Sequence, residues 1–232
     1  MNNPAFDTWL SVGGYLRTSG TTGNPKDILQ STQKITASNT AAIIAQGLTS
    51  ESKVLTTGKL KHAGGIFAQT LPAYTLDAEI DIIDFSPEIF KQRLGSFTHT
   101  HLTPNQARNI MSEYDSLYLK DVWVTCGSTP VTWDIVEWFV GNGAIFMANW
   151  GMTEVGPISV NTTFDSMYKV DQMRLLCPDE HTILGDQYYC DYRIVNGELI
   201  VKGNISVYGN NWFHTGDLVT EVNGVLFFKG RK

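Results

Sequence analysis

Residues 18–26 have the sequence Thr18-Ser19-Gly20-Thr21-Thr22-Gly23-Asn24-Pro25-Lys26. Two glycines, four hydroxyl side chains and one lysine fall within this short stretch. Glycine lets the backbone approach a ligand closely and adopt positive φ, so successive N–H groups can form an anion-binding nest. The hydroxyl groups add donors, and Lys26 adds a compact positive charge suited to phosphate. The stretch therefore predicts a loop that holds a triphosphate.

This loop differs from a Walker A loop, in which Gly-Lys-Ser/Thr opens a helix. Pro25 precedes Lys26, Asp27 follows it, and the proline favours an extended conformation at Asn24. A polar surface loop that binds nothing is the alternative, because short motifs also occur by chance. Apolar residues at helical spacing from Asp27 to Gly47 predict a helix behind the loop, with its N-terminus near the phosphates.

Composition excludes several classes of function. The chain has 232 residues, 42% of them hydrophobic and 17% charged, as in ordinary globular proteins. A net charge of −6 argues against a nucleic-acid partner. The three cysteines lack CxxC spacing and suggest reduced thiols rather than a disulfide framework or a zinc site. No signal peptide and no membrane-length apolar run is present, so we expect a cytoplasmic protein without a membrane span.

Alternating strand-like and helical segments predict an α/β fold, with a mainly parallel, doubly wound sheet and helices on both faces. Asn196-Gly197 and Asn223-Gly224 predict tight hairpins, so the last third should form a small antiparallel, barrel-like β lobe. We expect an α/β core over residues 1–163 and the lobe over 164–232. The predicted strands are 15–17, 53–57, 79–83, 98–102, 121–126, 144–148, 188–195, 198–202, 218–222 and 225–229, and the predicted helices are 27–47, 66–76, 88–94, 104–111 and 131–140.

Three later stretches, taken with the loop, resemble the adenylate-forming superfamily of acyl-CoA synthetases, luciferases and peptide-synthetase adenylation domains. They are Asn149-Trp150-Gly151-Met152-Thr153-Glu154, Trp212-Phe213-His214-Thr215-Gly216-Asp217-Leu218 and Gly230-Arg231-Lys232. Four matches in the family's order are far more specific than one. The resemblance implies ATP or AMP with Mg²⁺ as ligands, and conversion of a small carboxylic acid and ATP to acyl-adenylate and pyrophosphate. Acid–CoA ligases, including the o-succinylbenzoate type, resemble the chain more than peptide-synthetase domains do.

The resemblance also implies roles for single residues. Trp150 replaces the family's usual tyrosine against adenine, and the turn 127–129 would line the adenine edge. Asp217 and Arg231 would bind the ribose. The nucleotide-binding candidates are Thr18, Ser19, Gly20, Thr21, Thr22, Gly23, Gly127, Ser128, Thr129, Asn149, Trp150, Gly151, Met152, Asp217 and Arg231.

The same resemblance implies four candidate catalytic residues. Thr153 would contact the α-phosphate, Glu154 would bind Mg²⁺ as the metal ligand, and His62 would lie near the acid's carboxylate. Lys26 would supply positive charge from the loop. The plainer alternatives are a helix-capping pair for Thr153-Glu154, a structural histidine for His62 and a turn residue for Asp217.

Two further histidines share one face of a predicted strand. His99 and His101 alternate along residues 98–102 and therefore point the same way. They could bind a metal, but no third ligand has suitable spacing, so a pair with structural hydrogen bonds is the favoured interpretation.

The sequence departs from the family pattern at both ends. Only 17 residues precede Thr18, and the chain stops at Lys232, where the family continues into a small domain that carries a catalytic lysine. We therefore expect a minimal adenylating enzyme, with CoA used only alongside a partner chain such as a separate C-terminal-domain-like protein or an acyl carrier. A sheet surface left uncovered could form a homodimer. The alternative is a non-catalytic ATP- or AMP-binding module, or a degenerate paralogue.

Overall fold

The candidate phosphate loop connects two antiparallel strands. The computed structural model describes residues 3–18, 26–179 and 181–232, so loop residues 19–25 lie outside the described residues. Helix α1 (Pro4–Ser11) precedes strand β1 (Gly14–Arg17), which pairs with β2 (Asp27–Gln30) in a separate two-stranded sheet. At the base of the loop the N–H of Thr18 donates to the carbonyl of Lys26 at 2.9 Å. The two ends of the loop are therefore held together.

The helix predicted over 27–47 is wrong at its start and right at its end. Residues 27–30 form β2 because they pair with β1, and α2 (Thr32–Gln46) begins only after Ser31. The Ser31 hydroxyl accepts a hydrogen bond from the Lys34 N–H, which caps the helix. A strand thus separates the loop from the helix, so the expected helix N-terminus does not follow the loop directly. Gly47 ends α2 with φ of 60°, as predicted.

Most other helices and strands lie close to their predicted positions. The strands at 145–152 and 213–222 are longer than predicted, and the helices at 4–11 and 167–176 and the strands at 156–164 and 182–185 were not predicted. The predicted helix 66–76 and the predicted strand 188–195 are each divided into two elements. In chain order the elements are β3 (Lys53–Thr56), α3 (Ala63–Phe67), α4 (Thr70–Thr75), β4 (Glu79–Ile82), α5 (Pro87–Gln92), β5 (His99–Leu102), α6 (Pro104–Glu113), β6 (Trp123–Cys126), α7 (Trp133–Gly141), β7 (Ile145–Met152), β8 (Gly156–Phe164), α8 (Met167–Leu176), β9 (Thr182–Gly185), β10 (Gln187–Tyr188), β11 (Asp191–Val195), β12 (Glu198–Lys202), β13 (Phe213–Val222) and β14 (Val225–Arg231).

A seven-stranded sheet forms the centre of the molecule, in the order β10-β8-β7-β6-β5-β3-β4. The strands from β7 to β4 are parallel, whereas β8 runs antiparallel to β7 and β10 antiparallel to β8. The core packs aromatic and aliphatic side chains of the sheet and its helices, including the fully buried Phe139, Phe146 and Phe164. The predicted mainly parallel α/β architecture is confirmed.

A second, five-stranded antiparallel sheet follows, in the order β11-β12-β13-β14-β9. Asn196-Gly197 joins β11 to β12 and Asn223-Gly224 joins β13 to β14, each with positive φ at both residues. These are the turns that the two Asn-Gly pairs predicted.

The two sheets are connected by more than the chain itself. Strand β10 belongs to the large sheet, although it lies between β9 and β11 in sequence. The Asp186 N–H donates to the carbonyl of Asn161 at 3.1 Å, and the Thr162 hydroxyl donates to the Asp186 carboxylate. A Cβ on Gly185 would lie 2.3 Å from the Asn161 carbonyl oxygen, so glycine is required for this close approach. Residues 185–188 thereby fix the small sheet to the edge of the large one.

The histidine pair on β5 has structural contacts. His99 Nε2 lies 3.1 Å from the carbonyl of Gln46, and its ring stacks on Trp123. His101 is almost fully buried, and burial lowers its pKa to about 4, so it is neutral at pH 7. Across the part of the chain that the structure describes, no group of three His, Cys, Asp or Glu side chains is placed to hold a metal ion.

Candidate nucleotide-binding site

Asp217 is held from two sides by residues that the sequence motifs singled out. It lies on β13 of the small sheet, and its side chain is only 7% exposed. The indole N–H of Trp150, on β7 of the large sheet, donates to Asp217 Oδ2 at 2.8 Å. Arg231 Nε lies 3.4 Å from Asp217 Oδ1. The structure thus brings together three of the candidates, and Asp217 is a strand residue rather than a turn residue.

Opposing effects act on the pKa of the Asp217 carboxyl group. Burial raises the pKa of its carboxyl group, while the hydrogen bond from Trp150 and the positive charge of Arg231 act in the opposite direction. Arg231 also donates through Nη2 to the carbonyl of Thr215 at 3.2 Å, which fixes the guanidinium beside the carboxylate. Each carboxylate oxygen keeps acceptor capacity beyond its protein donor, as a ligand with two hydroxyl groups would need.

Glu198 supports this region, and the sequence motifs did not identify it. It lies on β12, where Oε1 accepts from the N–H of Gly216 at 2.9 Å. Oε2 lies 2.8 Å from Lys232 Nζ and 2.9 Å from His214 Nδ1. The hydrogen bonds from Lys232 and then His214 lower the pKa of Glu198 to about 2. Glu198 therefore stays ionised and fixes the 214–216 segment that leads to Asp217.

The turn 127–129 lies beside the other end of the β7 motif. A Cβ on Gly127 would lie 2.5 Å from the carbonyl oxygen of Asn149, so only glycine fits there. Ser128 has φ of 93°, which is uncommon and costly for a residue other than glycine. Asn149 donates through Nδ2 to the carbonyl of Pro157, but its buried Oδ1 has no partner among the described residues. This orphaned acceptor is a natural contact for a donor on a bound base.

Thr153 and Glu154 lie in the turn between β7 and β8. The turn occupies residues 153–155, so these two residues do not cap a helix. A Cβ on Gly151 would lie 2.3 Å from the Pro157 carbonyl oxygen, which explains the glycine in the motif. Both side chains are half-buried, and the Glu154 carbonyl accepts from the Val207 N–H at 2.8 Å.

A buried lysine that sequence reasoning missed lies behind this turn. Lys34 is 2% exposed, and its ammonium donates to Gln30 Oε1 and lies 3.5 Å from the carbonyl oxygen of Thr153. Burial lowers the Lys34 pKa to about 7, although the negative charge of Glu154 opposes the shift. In sequence Lys34 resembles any polar residue of an amphipathic helix, so only tertiary structure reveals it.

The remaining candidates are less closely joined to this group. Lys26 is exposed at the base of the loop, and Met152 packs on the apolar cluster under the small sheet. His62 is exposed at the N-terminus of α3 and makes no side-chain capping bond. A nearby crevice is lined by His101 rather than His62; its lining residues are Thr56, Thr57, Gly58, Gly64, Gly65, Gln69, Thr70 and His101.

Comparison with known protein families matches residues 15–209 to the model for AMP-binding enzymes. This match covers most of the chain and spans the loop, the β7 motif and Glu198. The chain belongs to the AMP-binding enzyme family. The resemblance drawn from the four motifs is therefore confirmed.

Relatives within the AMP-binding family include acid–CoA ligases. The indoleacetate–CoA ligase of Aromatoleum aromaticum is 27% identical over 239 residues, covering 93% of this chain and 46% of that protein. The acyl-CoA synthetase ALT10 of Alternaria alternata is 26% identical over 271 residues, covering 97% of this chain and 48% of that protein. The chain thus spans about half the length of the curated relatives it matches.

Solved structures show the same fold. The o-succinylbenzoate CoA synthetase of Bacillus subtilis, solved in complex with ATP and magnesium ion, superimposes with a TM-score of 0.80 over 96% of this chain and 50% of that one. Its sequence identity is 19%, so this likeness concerns the fold. Within residues 3–18, 26–179 and 181–232, no helix has the length and apolar character needed to cross a membrane.

Proposed function

We propose that this AMP-binding family member binds ATP with Mg²⁺ and joins a carboxylic acid to AMP, releasing pyrophosphate. The observation that carries the proposal is the group formed by Trp150, Asp217 and Arg231, in which an aromatic ring and a buried, doubly held carboxylate come together from two sheets. A flat apolar surface beside a carboxylate suits a nucleoside, because the base can stack while the ribose hydroxyls donate to the carboxylate.

On the nucleoside side, the residues present fit the ligand. Trp150 would supply the ring for adenine, and the lack of a side chain at Gly127 lets the turn 127–129 lie directly against Asn149 of the same motif. The orphaned Oδ1 of Asn149 can accept a hydrogen bond from an exocyclic amine. Asp217 would accept hydrogen bonds from the ribose hydroxyls, with Arg231 as a second ribose contact.

On the phosphate side, Thr153 would donate its hydroxyl to the α-phosphate, and Lys26 would bring positive charge from the loop. Glu154 would hold Mg²⁺, since carboxylate and phosphate oxygens are the ligands that this ion prefers. The bound ion would neutralise phosphate charge. Catalysis would then rest on positioning the acid's carboxylate in line with the α-phosphorus and on stabilising the developing charge.

The relatives support a proposal for the acid and the thiol acceptor. Their names point to carboxylic acids and CoA, so we propose a small organic acid as substrate and CoA, or a carrier thiol, as the later acceptor. We propose that the acid binds beside Gly64-Gly65, close in sequence to His62. The three free cysteines fit the reducing cytoplasm that we propose as its location.

Binding and pyrophosphate exchange test the proposal. We expect calorimetry to detect AMP and Mg·ATP, and labelled pyrophosphate to enter ATP when a suitable aryl or aliphatic acid is present. Asp217→Asn should weaken adenosine by tenfold or more while leaving pyrophosphate unchanged, since a hydrogen bond to a charged group contributes about 1.5–3 kcal/mol. Asp191→Asn, on exposed β11, is the matched control.

Two results would contradict the proposal in different ways. Absence of binding by AMP and ATP at millimolar concentration would remove the nucleotide site altogether. Tight AMP binding without pyrophosphate exchange across the whole acid panel would instead favour the non-catalytic AMP-binding module.

A further inference from the structure

Two side chains at the junction of β2 and α2 contact the same backbone oxygen. Gln30 Nε2 lies 3.3 Å from the Thr153 carbonyl oxygen and Lys34 Nζ lies 3.5 Å from it. The Lys34 ammonium also donates to Gln30 Oε1, so the two side chains orient each other. Both are almost completely buried, with Gln30 at 0% and Lys34 at 2% exposure. We name this pair the Gln30–Lys34 clamp.

Holding a turn with a buried ammonium group carries an unfavourable free energy of desolvation. Lys34 has three N–H donors, and the hydrogen-bond acceptors in contact with them among the described residues are neutral oxygens. No carboxylate of these residues lies within 4.0 Å of it, and the ring of Phe67 lies 5.3 Å away. A well-packed apolar side chain at such a position is often neutral or stabilising relative to the charge. Stability alone therefore does not explain the lysine.

The position of the clamp suggests what it does instead. Gln30 ends β2, the strand that leaves the candidate phosphate loop, and Lys34 lies in the first turn of α2. Thr153 and its neighbour Glu154 form the turn that we assign to the α-phosphate and the metal ion. The clamp is thus a direct side-chain link between the loop hairpin and that turn.

We infer that Gln30 and Lys34 are positioning residues, which hold the Thr153-Glu154 turn against the end of β2 and the start of α2 so that both turn side chains are placed for the nucleotide's phosphates. The inference rests on the proposed nucleotide site, but it concerns residues outside the motifs. It predicts that the clamp affects ligands with a phosphate and spares those without one. A role in packing alone would affect both classes of ligand equally.

The test compares adenosine with AMP in the presence of Mg²⁺, using calorimetry on the 232-residue chain. Lys34→Met and Gln30→Met should each weaken AMP by about tenfold to 100-fold, the range for losing hydrogen bonds that involve a charged group. Adenosine affinity should change by less than about twofold. Because both side chains act on one carbonyl, their effects should not add. The double variant should bind AMP about as tightly as the more severely affected single variant.

Thermal unfolding separates positioning from packing. At a pH below the Lys34 pKa of about 7, we expect Lys34→Met to unfold at the same temperature as the wild type or higher, since it removes a buried charge. The matched control is Gln46→Met, at the other end of α2, where a buried amide bonds to the carbonyl of Ala68 and to the Thr125 hydroxyl. This control should unfold at a lower temperature and yet bind adenosine and AMP like the wild type.

The outcomes are distinguishable. Wild-type AMP affinity in Lys34→Met and Gln30→Met would overturn the inference while leaving the proposed function intact. Equal weakening of adenosine and AMP, or a lower unfolding temperature for Lys34→Met, would show that the pair serves packing. A wild-type chain that binds no AMP would overturn the proposed function and the inference with it.

Discussion

Trp150 has a hydrogen-bond donor in its ring where the family usually has a tyrosine. Its indole carries a ring N–H, and the structure directs this N–H to the carboxylate of Asp217. The tyrosine usual in the family has a hydroxyl at the end of its ring instead. In this chain the proposed adenine contact and the proposed ribose contact are therefore joined by a hydrogen bond.

Trp150→Phe tests this coupling. Phenylalanine keeps an aromatic face but cannot donate, so Asp217 loses its Oδ2 donor. We expect adenosine affinity to fall about tenfold, the effect of one hydrogen bond to a charged acceptor, with the pyrophosphate affinity unchanged. Trp138→Phe, in the core beside Phe139, is the control for loss of an indole elsewhere. Unchanged adenosine affinity in Trp150→Phe would show that the bond does not support the nucleoside site.

His101 gives the stability of the chain a dependence on pH. Burial lowers its pKa to about 4, whereas an unfolded histidine titrates near 6.5. Between these two values the unfolded chain binds more protons than the folded chain, so the free energy of unfolding falls as pH falls. The stabilisation is complete above about pH 6.5 and is lost progressively towards pH 4.

Urea unfolding at several pH values between 4 and 7 checks this expectation. His101→Gln should show a flatter dependence of unfolding free energy on pH than the wild type. His62→Gln, at an exposed histidine, is the control for this substitution elsewhere in the chain. If His101→Gln and the wild type have the same slope, another group is responsible for acid sensitivity in this range.

At the scale of elements, local sequence signals predicted the boundaries of helices better than they predicted whether a short segment is a helix or a strand. Ser86 and Thr103, each followed by proline, cap α5 and α6, which begin within one residue of the predicted starts at 88 and 104. Each hydroxyl accepts a hydrogen bond from the N–H three residues on. Residues 27–30 were misassigned to a helix because their pairing with β1 depends on a partner across the loop. A short apolar run such as Ile28-Leu29 fits either period, and only the partner strand decides.

Thr103 carries a complete capping box, and this makes its contribution to stability measurable. Its hydroxyl accepts from the Gln106 N–H at 3.2 Å, while Gln106 Oε1 accepts from the Thr103 N–H at 2.9 Å. Thr103→Ala should lower the free energy of unfolding by about 1 kcal/mol. Ser112→Ala, which removes an exposed hydroxyl near the other end of α6, should change the free energy of unfolding by no more than a few tenths of a kcal/mol. If Thr103→Ala and Ser112→Ala lower the free energy of unfolding equally, the capping box does not stabilise the chain more than an ordinary exposed hydroxyl does.

The candidate site was predictable only where a motif includes its residues. Asp217, Arg231 and Trp150 lie within stretches whose order along the chain resembles the family. Glu198 and Lys34 lie outside them, and their importance comes from contacts with distant residues, 16 positions away for Glu198 with His214 and 119 for Lys34 with Thr153. No local pattern encodes such distances, because each partner is brought in by a different strand or helix.

At the scale of the whole molecule, the site spans two sheets. Trp150 comes from the large sheet, whereas Asp217 and Arg231 come from the small one. The α/β class followed from the alternation of strand-like and helical segments, and the antiparallel lobe followed from the two Asn-Gly turns. Their relative placement did not, since it depends on contacts such as Asp186 with Asn161 and Thr162.

The return of β10 to the large sheet limits how this protein could have been assembled or could be engineered by exchange of parts. A crossover near residue 164 would separate β8 from the two residues that pair with its edge, and Asp186 from Asn161. A chimaera made there with a relative would need the foreign segment to supply a glycine at position 185 and a matching strand after it. A crossover at 196–197 would keep β10 with β8, but it would separate β11 from β12 and β9 from β14.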